Sequence, residues 1–215
     1  MKRVLVLVLA LMLAVPAPVN AASKKSLAKK TVKHYMKLCK KGELTGTGKN
    51  SKFSRLVRKY NKSLKYNIKS VKVSKNKAVV KVRVKYKSLY KAAKVAGYET
   101  GLYVFKKALA FEEVSDKQAL NYFSKRVKKR VKKYPPKVKT KIIKFKLKYN
   151  KATSTWDTYK ISDSSVHALL CDLLKGYVSG ANQFAKDYNN SHLNKKSRPW
   201  LQFRDGPAPK DLNVA

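Results

Sequence analysis

Ser162, Asp163, Ser164, Ser165 and His167 put the residue types of a hydrolase triad into one short stretch. A triad needs a hydroxyl nucleophile, an imidazole to take its proton and a carboxylate to orient the imidazole. These groups must converge in space, not in sequence. No G-x-S-x-G elbow is present, and Ser162 or Asp163 is explained by capping the helix that follows. Glu99, Glu112, Glu113 and Asp116 could supply the paired carboxylates of a glycoside hydrolase. With so few acids among so many lysines, ion pairing at the surface is the expected role. The stretch TGTGKNS, residues 45–51, lacks the Walker A spacing and follows no apolar strand. His34, His167 and His192 lack a metal-ligand spacing, and there is no C-x-x-C motif. The sequence therefore names no catalytic residue, no metal site and no cofactor.

Charge is the stronger signal. Lys and Arg total 52 against 11 acidic residues, a formal net charge of +41. That exceeds what solubility requires and carries a self-repulsion cost. Lysine far outnumbers arginine. Arginine suits planar, bidentate recognition of phosphate and base edges, whereas lysine supplies diffuse attraction. The balance favours a non-specific polyanion or anionic surface over a domain that reads nucleic-acid sequence. The lysine excess is also open to a compositional origin.

The elements that must position these charges follow from periodicity. Residues 1–21 read as a secretory signal peptide: Met1-Lys2-Arg3, an apolar run from Val4 to Val15, and small residues before a cleavage point after Ala21. Cleavage would remove Lys2 and Arg3 and lower the net charge from +41 to +39. Residues 24–189 are expected to form a single domain, and 190–215, where Pro199, Pro207, Pro209 and Gly206 appear, a flexible tail. Ser23–Lys41 is predicted as a helix stopped by Gly42, and Ser51–Lys59 as a short second one. Residues 63–73 and 78–86 alternate with period two and form a hairpin, with a bulge near Ser70.

Helical periodicity runs from Tyr90 to Leu109, interrupted by Gly97 and Gly101. A second basic helix begins after a Ser115 cap and continues to about Lys133. Pro135-Pro136 ends it. Residues 136–149 then alternate lysine with Val138, Thr140 and Ile142. After a slip at Ile142-Ile143 they alternate with Phe145, Leu147 and Tyr149. Residues 153–161 return as the partner strand. One long helix, Asp163 to Tyr188, should close the domain. The expected class is α+β, with a four-stranded or slightly larger curved antiparallel sheet made of two hairpins and packed against helices. Cys39 and Cys171 lie in apolar-periodic segments and read either as one disulfide or as two buried free thiols.

The segments SLAKKTVKHYMKLCKKGEL and TWDTYKISDSSVHALLCDLLKGYVSGANQF carry a family likeness. The chain resembles the NTF2-like (cystatin-like) domains of small exported Gram-positive proteins and lipoproteins, over about residues 24–188. The resemblance implies a curved sheet and helices enclosing a cone-shaped pocket. Enzymatic members place acidic and histidine residues in that pocket, a constellation this sequence lacks, and no lipobox cysteine follows the apolar run.

The expected function is accordingly that of a non-catalytic exported protein, secreted or held at the cell envelope. It would bind an anionic cell-wall polymer, an anionic lipid surface or non-specific nucleic acid. The candidate anion-binding residues are Lys125, Arg126, Lys128, Lys129, Arg130, Lys132 and Lys133 on the basic helix. Lys137, Lys139, Lys141, Lys144, Lys146 and Lys148 lie on the last hairpin, and Lys81, Arg83, Lys85 and Lys87 on the first. A small-ligand pocket protein or weak enzyme of NTF2-like type is the alternative. A membrane-active basic protein, using the amphipathic helix from Asp116, is the second alternative.

Overall fold

In the computed structural model the described residues are 23–193. The expected signal peptide and the tail from residue 194 onward lie outside them. The elements run in order α1 (Lys24–Lys41), α2 (Lys52–Asn61), β1 (Lys65–Ser74), β2 (Lys77–Ser88), α3 (Tyr90–Leu109), α4 (Asp116–Arg130), β3 (Lys137–Asn150), β4 (Thr155–Lys160), α5 (Asp163–Leu169) and α6 (Leu173–Leu193). A short 3-10 turn, Glu43–Thr45, links α1 to the loop before α2. The four strands form one antiparallel sheet in sequence order, packed against helices as an α+β fold. The described chain divides into two compact units. Residues 23–88 with 138–171 make one, and residues 89–137 with 172–193 make the other.

The first unit is built on the two-residue period of its strands. Val80, Val82, Val84 and Tyr86 of β2 are buried, as are Ile143, Phe145 and Leu147 of β3. Tyr66 and Ile68 of β1 pair with Val84 and Val82, and a register shift between Ile68 and Ser70 marks the bulge read near Ser70. Helix α1 covers this inner face, contacting β1, β2 and β4. Its Tyr35 meets Phe145 edge to face at 5.3 Å. The indole N–H of the buried Trp156 donates to the Lys24 carbonyl at 2.9 Å. A ring that is apolar in body and polar at its tip thus ties β4 to the start of α1. Gly42, with φ +69°, ends α1 in a left-handed cap, and a side chain there would collide with the Ser54 carbonyl.

At the centre of the unit sits Asn61, fully buried at the last position of α2. Its amide nitrogen donates to the Cys39 carbonyl at 3.1 Å and to the Leu169 carbonyl at 2.7 Å. Its oxygen accepts from the Cys171 thiol at 3.1 Å. Both cysteines are buried free thiols. A buried amide with its donors and acceptor satisfied costs little, whereas leaving its partners unpaired costs about 1–3 kcal/mol per group. One side chain therefore fixes the ends of α1, α2 and α5 together.

The second unit is helical. Helix α3 runs unbroken through Gly97 and Gly101, because those glycines mark close approach and not interruption. A Cβ on Gly97 would lie 2.5 Å from the Tyr177 carbonyl oxygen of α6, and one on Gly180 would meet the α3 backbone at Lys94 and Tyr98. Ser115 caps α4 in a full capping box with Gln118. The buried Phe123 and Val127 stripe of α4 turns toward helices: α4 packs on α3, and Phe123 meets Tyr177 edge to face. Buried Glu99 of α3 accepts from Arg126 Nε at 2.5 Å and Nη2 at 2.7 Å, and from Arg130 Nη2. Burial alone would raise the Glu99 pKa. The hydrogen bonds and charges of the two arginines outweigh it and hold the carboxyl below its usual value.

Two expectations need correcting. The closing helix is not continuous: Leu170 ends α5, and Cys171 and Asp172 take left-handed backbone (φ +58° and +57°) before α6 begins. The unbroken apolar period from Val166 to Leu173 hid this break, since a period records burial and not backbone conformation. The break falls where the chain passes from one unit to the other, and α6 then continues past Tyr188 to Leu193. Second, Val138 and Ile142 are exposed, at 58% and 51%. Strand β4 is only six residues long and pairs with Lys146–Asn150, so it leaves the first half of β3 unflanked on that side. Where β3 pairs with β4, a register shift falls between Lys146 and Leu147.

Two outcomes follow. Glu99 has a depressed pKa in the folded state, so its contribution is present at neutral pH and is lost as pH falls through the folded value, below 4.5. Glu99→Gln should cost about 2–3 kcal/mol at neutral pH, between exposed and fully buried pairs, and should flatten the acid limb of a urea-midpoint profile. Phe111 sits fully exposed with φ +55°, just past α3. Its N–H and that of Glu112 close the helix end on the Ala108 and Lys107 carbonyls. That is a position suited to glycine, and Phe111→Gly should raise the urea midpoint, by about 0.5–1 kcal/mol of stability.

Candidate cationic face of the sheet

Alternation places every second side chain of a strand on the face away from α1. On β2 these are Lys81, Arg83, Lys85 and Lys87; Arg83, Lys85 and Lys87 are exposed and Lys81 half-buried. On β3 they include Lys144, Lys146 and Lys148, all exposed, between the buried Ile143, Phe145 and Leu147. Strand β1 adds Lys65 and Lys72, both exposed, which the sequence reading left out of its candidates. The signal was available: Lys65 and Asn67 alternate with Tyr66 and Ile68 in the same way. The pairing register makes the crowding explicit, since Lys65 stands opposite Lys85 and Lys146 opposite Lys160. Like charges in directly opposed positions are destabilising. Asp157 of β4 stands opposite Lys148, an acid on this face of the outer hairpin.

At a rise of about 3.3 Å per residue, cations at alternate positions lie about 6.6 Å apart along a strand, and neighbouring strands lie about 4.8 Å apart. The lysine stems are long and flexible, so the face is a dense cationic field, not a fixed set of donors.

The other predicted residues divide. Lys137 and Lys139 are exposed at the start of β3. Lys141 is half-buried and its Nζ donates to the Ser164 carbonyl at 2.8 Å, tying β3 to the start of α5. On α4, Lys125, Lys128 and Lys129 are exposed, with Lys132 and Lys133 exposed just beyond the helix end at Arg130. Arg126 and Arg130 are different: both are engaged by Glu99. The two arginines that looked best suited to grip an external anion hold an internal carboxylate instead. Their spacing of four along α4 put both on the side facing Glu99.

The catalytic alternatives gain no geometry. Ser162 shares a 2.8 Å hydrogen bond with Ser165 at the start of α5, a local contact of the capping turn. Of the four acids considered as a carboxylate pair, Glu99 is held by two arginines and Glu112 pairs with Lys107 at 2.6 Å. Among the described residues no group of His, Cys, Asp and Glu is arranged to hold a metal ion, and no helix is long and apolar enough to cross a membrane. In the 45–51 loop, Thr45, Thr47, Ser51 and Ser54 hydrogen-bond to one another, so their hydroxyls are already satisfied.

No family model matches the chain, and no curated protein sequence matches it. Among solved structures it is similar to a candidate lipoprotein of Bacillus subtilis, at 20% identity and a TM-score of 0.31. The match covers 67% of this chain and 46% of that one, so the chain spans about half the length of the protein it matches.

Proposed function

We propose that this chain is a non-catalytic exported protein of the cell envelope that holds a linear anionic polymer on the outer face of its sheet. The observation that carries the reading is the run of exposed cations across three adjacent strands, with Lys65 set against Lys85 and Lys146 against Lys160. A fold can leave such repulsion unrelieved only at a cost in stability. A bound polyanion removes that cost and gains affinity by releasing its own counterions. The export signal read in residues 1–21 supports placement at the envelope. An NTF2-like (cystatin-like) assignment belongs to the same proposal and rests on the sequence resemblance of the first helix and the closing hairpin.

The sheet is favoured over α4 as the main contact, because Glu99 neutralises part of the helix charge while β2 and β3 present exposed cations. Aromatic side chains of the strands lie chiefly on the inner side, as Tyr86, Phe145 and Trp156 do. That leaves little for bases to stack on and favours a polymer recognised through its charges.

Linear inorganic polyphosphate is a suitable probe. Its affinity for the full chain should fall linearly with log salt concentration. The combined variant Arg83→Gln, Lys85→Gln, Lys146→Gln and Lys148→Gln should lose affinity about tenfold or more at low salt, with a slope shallower by roughly 0.7 for each phosphate contact removed. The matching variant Lys125→Gln, Lys128→Gln, Lys129→Gln and Lys132→Gln should lose less. Binding that ignores salt would overturn the proposal.

A further inference from the structure

Cys39 and Cys171 lie far apart in sequence, yet both meet the same buried amide. The Asn61 nitrogen bonds the backbone carbonyls of Cys39 and Leu169 at once, which holds the end of α1 against the end of α5. Cys39 Sγ lies 3.4 Å from that nitrogen and donates to the Leu169 carbonyl at 3.3 Å, while Cys171 Sγ donates to the Asn61 oxygen at 3.1 Å. The two thiols therefore flank one planar amide, and all three side chains are buried.

The geometry points to an oxidative modification site: Cys39 and Cys171 are a dithiol pair that closes to an intramolecular disulfide by exchange with a small-molecule or protein disulfide. One thiol, as its thiolate, attacks a sulfur of the incoming disulfide, and a mixed disulfide forms as one thiolate leaves. The second cysteine then attacks the mixed disulfide at the first cysteine's sulfur and displaces the other thiolate. Two electrons pass to the exchanged disulfide, and the two protons end on its released thiols.

In the closed fold the reaction is held back. Burial pushes the Cys39 thiol up to about 12, against a small opposing effect of Lys40, so little thiolate forms. The backbone beside the pair supplies a way to open. Cys171 and Asp172 both adopt left-handed conformations, which are strained for residues with a side chain. A helix break already under strain opens more readily than a regular helix. Closing the link requires Cys39 to release the Leu169 carbonyl and both sulfurs to release the Asn61 amide, whose nitrogen can keep its bonds to the two backbone carbonyls. The link would then clamp α1 to the helix break and close a loop of more than a hundred residues, stabilising mainly by restricting the unfolded chain.

The test uses the full chain, reduced and then incubated with oxidised glutathione at mildly alkaline pH without denaturant. Both thiols should disappear together with no glutathione mass added. A non-reducing peptide map should join the Cys39 and Cys171 peptides, and the melting temperature should rise. Cys39→Ser and Cys171→Ser chains should show no such rise. Stable glutathione adducts on the unaltered chain, covalent dimers, or two thiols that survive for as long as the fold does would each overturn the assignment. The peptide map of the unaltered chain decides the matter even if a serine variant fails to fold.

Discussion

Eleven carboxylates cannot neutralise fifty-two cations, and this imbalance constrains every level of the fold. A compact chain of such charge is opposed by its own field, so the apolar contacts must be dense and the cations kept apart from the core. The two-residue period of the strands does both. It sends Val80, Val82, Val84, Phe145 and Leu147 toward α1 and leaves lysine and arginine on the opposite side. The acids are too few to form a general network and sit at particular joints. Glu99 joins two helices through two arginines, Glu112 holds Lys107 at the end of α3, and Asp157 stands opposite Lys148 in the outer hairpin.

Polar groups inside the first unit follow the same economy. Where a charge would be expensive to bury, a neutral amide performs the linking. Asn61 gathers the ends of three helices with two donors and one acceptor. Burial raises the nearby Cys39 and Tyr35 well above their ordinary values, which keeps both groups neutral. The sheet face and the buried amide are thus two answers to one problem, how to link and expose polar groups without burying unpaired charge.

Much of this was legible in the sequence, for reasons that can be assigned. The strands of both hairpins, the bulge near Ser70, the Gly42 stop and the Ser115 cap each have a local cause, and each is present. The α+β class follows from the order of those periods. What was hidden has non-local causes. The break at Cys171 and Asp172 lies inside the apolar period from Val166 to Leu173, which masked Asp172, a residue type that tolerates left-handed backbone. Ile142 alternates in phase with the exposed Lys144, Lys146 and Lys148, so it stands on the outer side of the strand and not over the core. Gly97 and Gly101 read as interruptions because their partners, Tyr177 and Phe184, lie some eighty positions away. For the candidate site, lysine spacing identified the face on β2 and β3 but missed β1, and it could not reveal that Arg126 and Arg130 were already engaged by Glu99.

The central claim is that one face of one sheet gathers the charge that meets an anionic partner. Its most direct test is a lysine-acetylation footprint of the folded chain, read by mass spectrometry with and without linear polyphosphate at low salt. The account predicts that Lys85, Lys87, Lys144, Lys146 and Lys148 become less reactive together while Lys125, Lys128 and Lys129 change little. Protection spread evenly over all exposed lysines, or confined to the α4 set, would contradict it.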